Sequence, residues 1–361
     1  MIDPKKKLRI NTNLISWYEV FARDLPWRRT TDPYAIWVSE IMLQQTRVET
    51  VIPYYTHWLD QLPVLESLIS ADQDQVLKLW EGLGYYRRAL NLHKAAKLVQ
   101  DRFDGIIPED VKTLISLPGI GRYTAGAISS IAFNQPSPIL DGNIKRVFTR
   151  LFNISTPLQI SETEKGLWRI ADDLLPENNP GEFNQALMEL GALICLSKNP
   201  GCDRCPLKDD CLAFQYNLQM DLPVRKEKSP LPHLQVTAAV IEKDGRVLLA
   251  KRPPEGLLGG MWEFPGGKQE SNETLPETLE REIMEELDAS IQVGEHFGTY
   301  YHAYTHYKIT LHAYQCRLVS DELKMIYHTD LDWVPLDSME SYPMGKLDRI
   351  IADQLKDRSH L

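Results

Sequence analysis

The sequence predicts two domains of different class, an all-α domain followed by an α+β domain, and three observations carry that expectation. Residues 8–217 show apolar side chains at i, i+3, i+4 spacing, as in Val76, Leu79, Trp80 and Leu83 or Leu187, Leu190 and Ile194, with little strand alternation. The stretch Leu222 to His233 then mixes prolines with charges, the composition of an exposed linker. Beyond it, β-branched runs (Val236 to Ile241, Val247 to Ala250 and the strand-like Tyr307 to Leu318) surround one acidic helix, Leu275 to Leu287. The expected boundaries are 1–221 for the helical domain, 222–233 for the linker and 234–361 for the second domain. The chain's 361 residues suit this division, since domains commonly run to about 150 residues.

Composition narrows the function classes. A chain with 43% hydrophobic and 25% charged residues is neither disordered nor fibrous. The start, Met1 to Asn11, is basic but lacks an apolar core and a small-residue cleavage site, and no run approaches the length of a membrane span. A cytoplasmic protein is therefore expected, and its five cysteines should not be disulfides. The net charge of -10 looks wrong for a nucleic-acid binder. Most of the surplus lies beyond residue 230, where 22 acidic residues face 13 basic ones; residues 1–230 hold 28 and 27. There Arg28-Arg29, Arg87-Arg88 and Lys145-Arg146 with Arg150 form a basic face or are ordinary solvated helix charges.

The first chemical signal is Leu117-Pro118-Gly119-Ile120-Gly121-Arg122-Tyr123, lying between the expected helices Glu109 to Ser116 and Tyr123 to Phe133. Gly119 and Gly121 let the backbone turn tightly, and the amides entering the second helix sit at its positive end. Such a turn grips a phosphate without reading its base, or it is a plain αα-hairpin. The string resembles the helix-hairpin-helix of the endonuclease III and MutY superfamily. That resemblance implies an aspartate about twenty residues later, and Leu140-Asp141-Gly142-Asn143 supplies Asp141, which its context also suits to a helix N-cap. Tyr123 stands where the bifunctional lyases of that superfamily carry a Schiff-base lysine. Without an amine, imine chemistry at the sugar is disfavoured, so hydrolysis of the base alone is expected.

Trp37-Val38-Ser39-Glu40-Ile41-Met42-Leu43-Gln44-Gln45 is similar to the catalytic-glutamate string of MutY-type adenine DNA glycosylases. Apolar neighbours should hold the Glu40 carboxyl protonated near neutrality, as a general acid requires. The resemblance implies that Glu40 protonates adenine at N7 and that Asp141 stabilises the oxocarbenium-like sugar. It further implies that Trp27, Arg28 and Gln185 line the adenine pocket, and that Gln45 and Tyr85 wedge into the duplex as the base flips out. The implied partner is double-stranded DNA with 8-oxoguanine:adenine or guanine:adenine mispairs, met by a monomer without membrane contact.

Cys195-x6-Cys202-x2-Cys205-x5-Cys211 reads as a metal loop. Spacing alone admits zinc; similarity to the superfamily implies a structural 4Fe-4S cluster. The lone Cys316 reads as a buried apolar residue. In the second domain Gly267-x5-Glu273-x7-Arg281-Glu282-x2-Glu285-Glu286-Leu287-Asp288 resembles the Nudix signature, with Glu282, Glu285 and Glu286 on one helix face where a hard cation would bind. The departure is Asp288 in place of glycine just past the helix. Since this kind of domain reads 8-oxoguanine in MutY proteins, an acidic helix that is retained but idle is expected, with live pyrophosphohydrolase chemistry as the alternative. The lesion-reading turn should be His302-Ala303-Tyr304-Thr305-His306, with Thr305 and His306 at the base.

Overall fold

The computed structural model describes residues 2–224, 230–304, 306–320 and 322–359. They form two compact units, Met1–Ser70 with Asn91–Lys228 and Ala71–Leu90 with Ser229–Leu361. Twelve helices run from the start of the chain to residue 215: α1 (Pro4–Phe21), α2 (Pro33–Leu43), α3 (Val48–Gln61), α4 (Leu65–Ser70), α5 (Gln73–Trp80), α6 (Arg87–Phe103), α7 (Val111–Ile115), α8 (Arg122–Phe133), α9 (Gly142–Leu151), α10 (Ser161–Leu174), α11 (Pro180–Leu193) and α12 (Leu212–Gln215). Short side chains set many of their starts. Asp3, Asp32, Asp72, Asp110 and Asp141 each accept a first-turn amide as N-cap, which satisfies a donor that has no partner within the helix. One core, built on Ile10, Leu14, Phe148, Leu167, Phe183 and Leu187, joins α1 to α8–α11.

The second unit is a six-stranded sheet of β1 (His233–Lys243), β2 (Arg246–Lys251), β3 (Trp262–Glu263), β4 (Ile291–Ala303), β5 (Lys308–Leu318) and β6 (Asp330–Pro335). Its order is β3-β2-β1-β5-β4, with β6 pairing β2; β1 and β5 are parallel and the other pairs antiparallel. The alternation of β1 sends Ala239 and Ile241 to one face, beneath Leu279, Ile283 and Leu287 of α13 (Leu275–Leu287). Ala238 and Val240 go to the other, with Leu347, Ile351 and Leu355 of α14 (Lys346–Ser359).

Several elements differ from the sequence expectation. The hairpin's first helix is only Val111–Ile115, and β3, β4, β6 and α14 were not foreseen. Residues 71–90 belong with the sheet unit rather than the helical one, tied by Lys251 Nζ to Asp74 at 2.8 Å and Arg349 Nε to Glu81 at 2.6 Å. The expected linker overlaps residues 225–229, which lie outside the described residues, and its last residue, His233, already opens β1. No helix among the described residues is long and apolar enough to cross a membrane.

Candidate active site

Helix α2 is apolar on every side, and such a helix can only be buried. It carries Ser39 and Glu40 inward with it: the Ser39 hydroxyl satisfies itself on the Ile36 carbonyl at 2.8 Å, and Glu40 is 4% exposed. Opposite, α8 approaches its neighbours through small residues. A Cβ on Gly126 would stand 2.5 Å from the Pro138 carbonyl oxygen, so only glycine lets the segment leading to Asp141 run this close. A Cβ on Gly191 of α11 would likewise meet the Asn143 Cβ at 2.6 Å. The buried Asn184 amide then locks α11 to the others, donating to the Ser130 hydroxyl and the Ser137 carbonyl, both at 2.9 Å. These close approaches bring Trp27, Arg28, Glu40, Tyr123, Asp141 and Gln185 into the lining of one cleft of about 160 Å³.

The electrostatics of this cleft are uneven. Glu40 Oε2 is buried without a hydrogen-bond partner, an expensive state for an ionised oxygen. Burial accordingly pushes the Glu40 carboxyl up to about 7; Asp141 adds to the rise, while the Tyr123 hydroxyl and the Arg28 guanidinium oppose it. Asp141 is the N-cap of α9 and accepts the Ile144 amide at 2.7 Å. Burial raises it too, but the Ile144 and Asn143 amides and Arg146 work against that rise and support the ionised form. Tyr123 donates to the Met188 sulfur at 3.0 Å and, being buried near two carboxyls, stays neutral. Trp27, in the middle of the short turn Pro26–Arg28, stands edge-on to Tyr55, and Tyr18 reaches the Gln185 side-chain carbonyl at 3.5 Å. The cleft thus holds two carboxyls in unlike surroundings, Glu40 pushed up by burial and Asp141 with amides and Arg146 working against the rise, the kind of pairing that cleavage of a glycosidic bond uses.

Comparison with known proteins places the chain in a family. Residues 38–172 match the model of the HhH-GPD superfamily base excision DNA repair proteins, and residues 236–354 match that of the NUDIX domain. An adenine DNA glycosylase of Rattus norvegicus is 36% identical over 85% of this chain and 70% of its own length. One from Buchnera aphidicola is 37% identical over 84% and 85%. The chain belongs to the adenine DNA glycosylase family. A thermostable thymine-DNA glycosylase superposes on 59% of the chain and 98% of its own, with 29% identity and a TM-score of 0.55. This glycosylase is therefore a base-excision repair enzyme with a helix-hairpin-helix domain and a Nudix domain.

The other residues expected at the site from the sequence are not in the cleft lining. Gly119 takes φ +79°, which suits glycine, and its Cβ would stand 2.8 Å from the Asn91 Cβ; Gly121 is the N-cap of α8, with no side chain over the first-turn amides. Gln45 and Tyr85 are both exposed and both held at positive φ, 59° and 52°, a costly backbone for residues with side chains. Tyr85 belongs to the sheet unit, where Arg88 lies 5.6 Å from its ring centroid. His306 is exposed between β4 and β5, and Thr305 lies outside the described residues. Sequence reasoning missed Arg23 and Glu189, which also line the cleft. Glu189 is 1% exposed, a signal that only the folded helix reveals.

The four cysteines of the 195–211 loop are free and partly buried, and Cys195, Cys205 and Cys211 pack against the helical core. Among the described residues no three His, Cys, Asp or Glu side chains converge closely enough to hold a single metal ion. Burial nevertheless raises the Cys202, Cys205 and Cys211 thiols, Cys205 to about 12, and the neighbouring cysteines add to the rise. Donors suited to thiolate sulfur surround them: Arg150 Nη1 at 3.3 Å from Cys195 Sγ, and the amides of Leu207 and Phe214 on Cys205 and Cys211. This donor set fits a thiolate-held group.

In the sheet unit Arg281 of α13 engages several of the acidic residues of the signature. Arg281 pairs with Glu273 at 2.6 Å and with Glu282 and Glu285 at 3.1 Å. His328 stands 3.1 Å from Glu263 and 3.9 Å from Glu286, whose carboxyl burial and the charges of Glu263 and Glu282 push up to about 8. Asp288 takes φ 49°, the left-handed conformation that glycine supplies in the signature, and pairs with Lys324 at 2.7 Å. Cys316 is buried.

Proposed function

We propose that this glycosylase hydrolyses the N-glycosidic bond of adenine paired with 8-oxoguanine or guanine and leaves the sugar-phosphate strand intact. The observation that carries the proposal is Glu40: a buried carboxyl with an unpartnered oxygen, poised near pH 7, in the wall of a cleft that also holds Asp141. Glu40 gives its proton to N7 of the extruded adenine, which turns the base into a neutral leaving group. Asp141 balances the positive charge that spreads over the sugar ring as the bond breaks. Trp27, Arg28 and Gln185 hold the base, and Tyr123 packs where a lyase would carry its amine. Among the described residues that line the cleft none is a lysine, so no imine forms and water completes the reaction.

Around this centre Gly119 and Gly121 grip a phosphate, and Gln45 and Tyr85 insert where the base has left the stack. Thr305 and His306 inspect the opposite base, and a monomer working on cytoplasmic DNA suffices. Cys195, Cys202, Cys205 and Cys211 hold a 4Fe-4S cluster that cross-links the loop and takes no part in the hydrolysis. Iron analysis of the purified protein checks this with about four iron atoms per chain expected from such a cluster; stoichiometric zinc without iron contradicts it. For the reaction, base release is measured on duplexes carrying adenine opposite 8-oxoguanine, guanine, cytosine or thymine, with borohydride present. Free adenine from the first two and no trapped protein-DNA adduct is the expected result. A trapped adduct, or equal release opposite all four bases, contradicts the reading.

A further inference from the structure

Glu189 is a buried carboxylate that the mechanism above leaves without a task. It projects from α11 into the cleft and accepts hydrogen bonds from the Arg23 amide at 2.9 Å, Arg23 Nε at 2.9 Å, Arg23 Nη2 at 2.7 Å and Arg28 Nη2 at 2.9 Å. Burial works to raise it, yet these bonds from Arg23 and Arg28 overcome that and hold it at about 2, ionised at every pH at which the protein works. Arg28 is fixed from three sides: by Glu189, by the Arg23 carbonyl at 3.1 Å and by the Tyr18 ring 5.3 Å beneath its guanidinium. A fork so held keeps one orientation, which a free arginine side chain does not.

The charge count around Glu40 makes the arrangement more than a scaffold. The groups that face Glu40 across the cleft are Tyr123 from α8, Asp141 from the cap of α9, Arg23 and Arg28 from the segment before α2, and Glu189 from α11, with Glu49 of α3 also bearing on Arg23. Arg28 is the group among them whose positive charge draws the proton off Glu40. We propose that Glu189 is a positioning residue for base excision, orienting Arg28 at the wall of the base pocket and offsetting its charge so that Glu40 keeps its proton. The inference rests on the reading of Glu40 as the acid. Neutralising Glu189 leaves two part-buried guanidiniums uncompensated at the cleft that holds Glu40, which favours the carboxylate and shuts off the acid at lower pH.

The test is single-turnover adenine release against pH by the full-length protein on an 8-oxoguanine:adenine duplex, for wild type, Glu189→Gln, Glu189→Asp and Arg23→Gln. Wild type loses activity above about pH 7, where Glu40 ionises. In Glu189→Gln that midpoint moves down by about one unit, so the loss of rate, about tenfold at pH 7.5, shrinks as the pH is lowered. Glu189→Asp, which keeps the charge, restores the midpoint even if its rate stays below wild type. Arg23→Gln keeps the carboxylate and removes one cation, so its midpoint moves up; the exposed part of Arg23 makes this variant the fallback if Glu189→Gln does not fold. A Glu189→Gln protein with the wild-type midpoint, or an unmoved midpoint in Arg23→Gln, overturns the assignment. A wild type that releases no adenine at any pH would instead overturn the reading of the cleft on which it rests.

Discussion

Two glutamates in this chain, Glu40 on α2 and Glu286 on α13, are pushed far above the ordinary carboxyl range by burial, to about 7 and about 8. Their surroundings differ in the way that matters for chemistry. Both have a buried oxygen without a hydrogen-bond partner, but Glu40 lines an open cleft of about 160 Å³. Glu286 shares its site with the buried His328 and with Glu263, while Arg281 ties up Glu282, Glu285 and Glu273. Moreover Gly267 sits so near Glu282 that a Cβ there would stand 2.3 Å from the carboxyl carbon. A perturbed carboxyl with an unsatisfied oxygen therefore marks a reaction centre only where open space accompanies it. In the sheet unit the acidic signature persists, with Glu273, Glu282 and Glu285 paired to Arg281.

The sharpest way to break this contrast is to neutralise one carboxyl in each region. Asp141→Asn keeps the cap on Ile144 and removes only the charge, so base release is expected to fall by about a thousandfold or more while duplex binding persists. Release within tenfold of wild type would remove Asp141 from the reaction. Next in size is the pH profile: single-turnover release by wild type is expected to decline about tenfold per unit above pH 7, as the Glu40 carboxyl ionises. A flat profile from pH 6 to 9 contradicts a proton donor at this position.

For the sheet unit the expectation is of small effects. Glu286→Gln should leave adenine release within about twofold of wild type, and the wild-type protein with Mg should hydrolyse no nucleoside triphosphate. Because the folded-state pKa of Glu286 is raised to about 8, its contribution to stability is complete below the unfolded carboxyl range and lost as pH rises toward 8. Thermal melting should show Glu286→Gln gaining on wild type between pH 6 and pH 9; a variant that melts lower by the same margin at both pH values counts against this. The smallest effect concerns the lesion reader. Thr305→Ala should weaken binding to 8-oxoguanine:adenine duplexes by roughly 1 kcal/mol, one hydrogen bond's net value, and leave guanine:adenine binding nearly unchanged at one fixed salt concentration. Equal losses on both duplexes would take the reading role away from this turn.

How much of this was legible in the sequence follows from the range of the interactions involved. The hairpin glycines, the N-cap Asp141, the cysteine spacing and the acidic helix Leu275–Leu287 are local patterns, and all of them lie on the elements expected. Glu40 could be read as buried because its whole helix is apolar. Glu189 could not, since its two arginine partners lie more than 160 residues away in the chain and nothing in its own helix announces them. The same holds for residues 71–90, whose helical periodicity is plain but whose place in the sheet unit depends on Lys251 and Arg349. Strand β4 was hidden for a different reason: its glycines, histidines and register shifts break the alternation that announces a strand.

The central claim is that a neutral Glu40 protonates the base, and Glu40→Gln tests it most directly, since the amide keeps the size of the side chain and has no acidic proton to give. Single-turnover release of adenine is measured for this variant and for wild type on the same 8-oxoguanine:adenine duplex, with duplex affinity and melting temperature recorded beside it. The account predicts release reduced by about a thousandfold or more at every pH from 5 to 9, with affinity within a fewfold of wild type. A folded variant that binds the duplex and releases adenine within tenfold of the wild-type rate would contradict it.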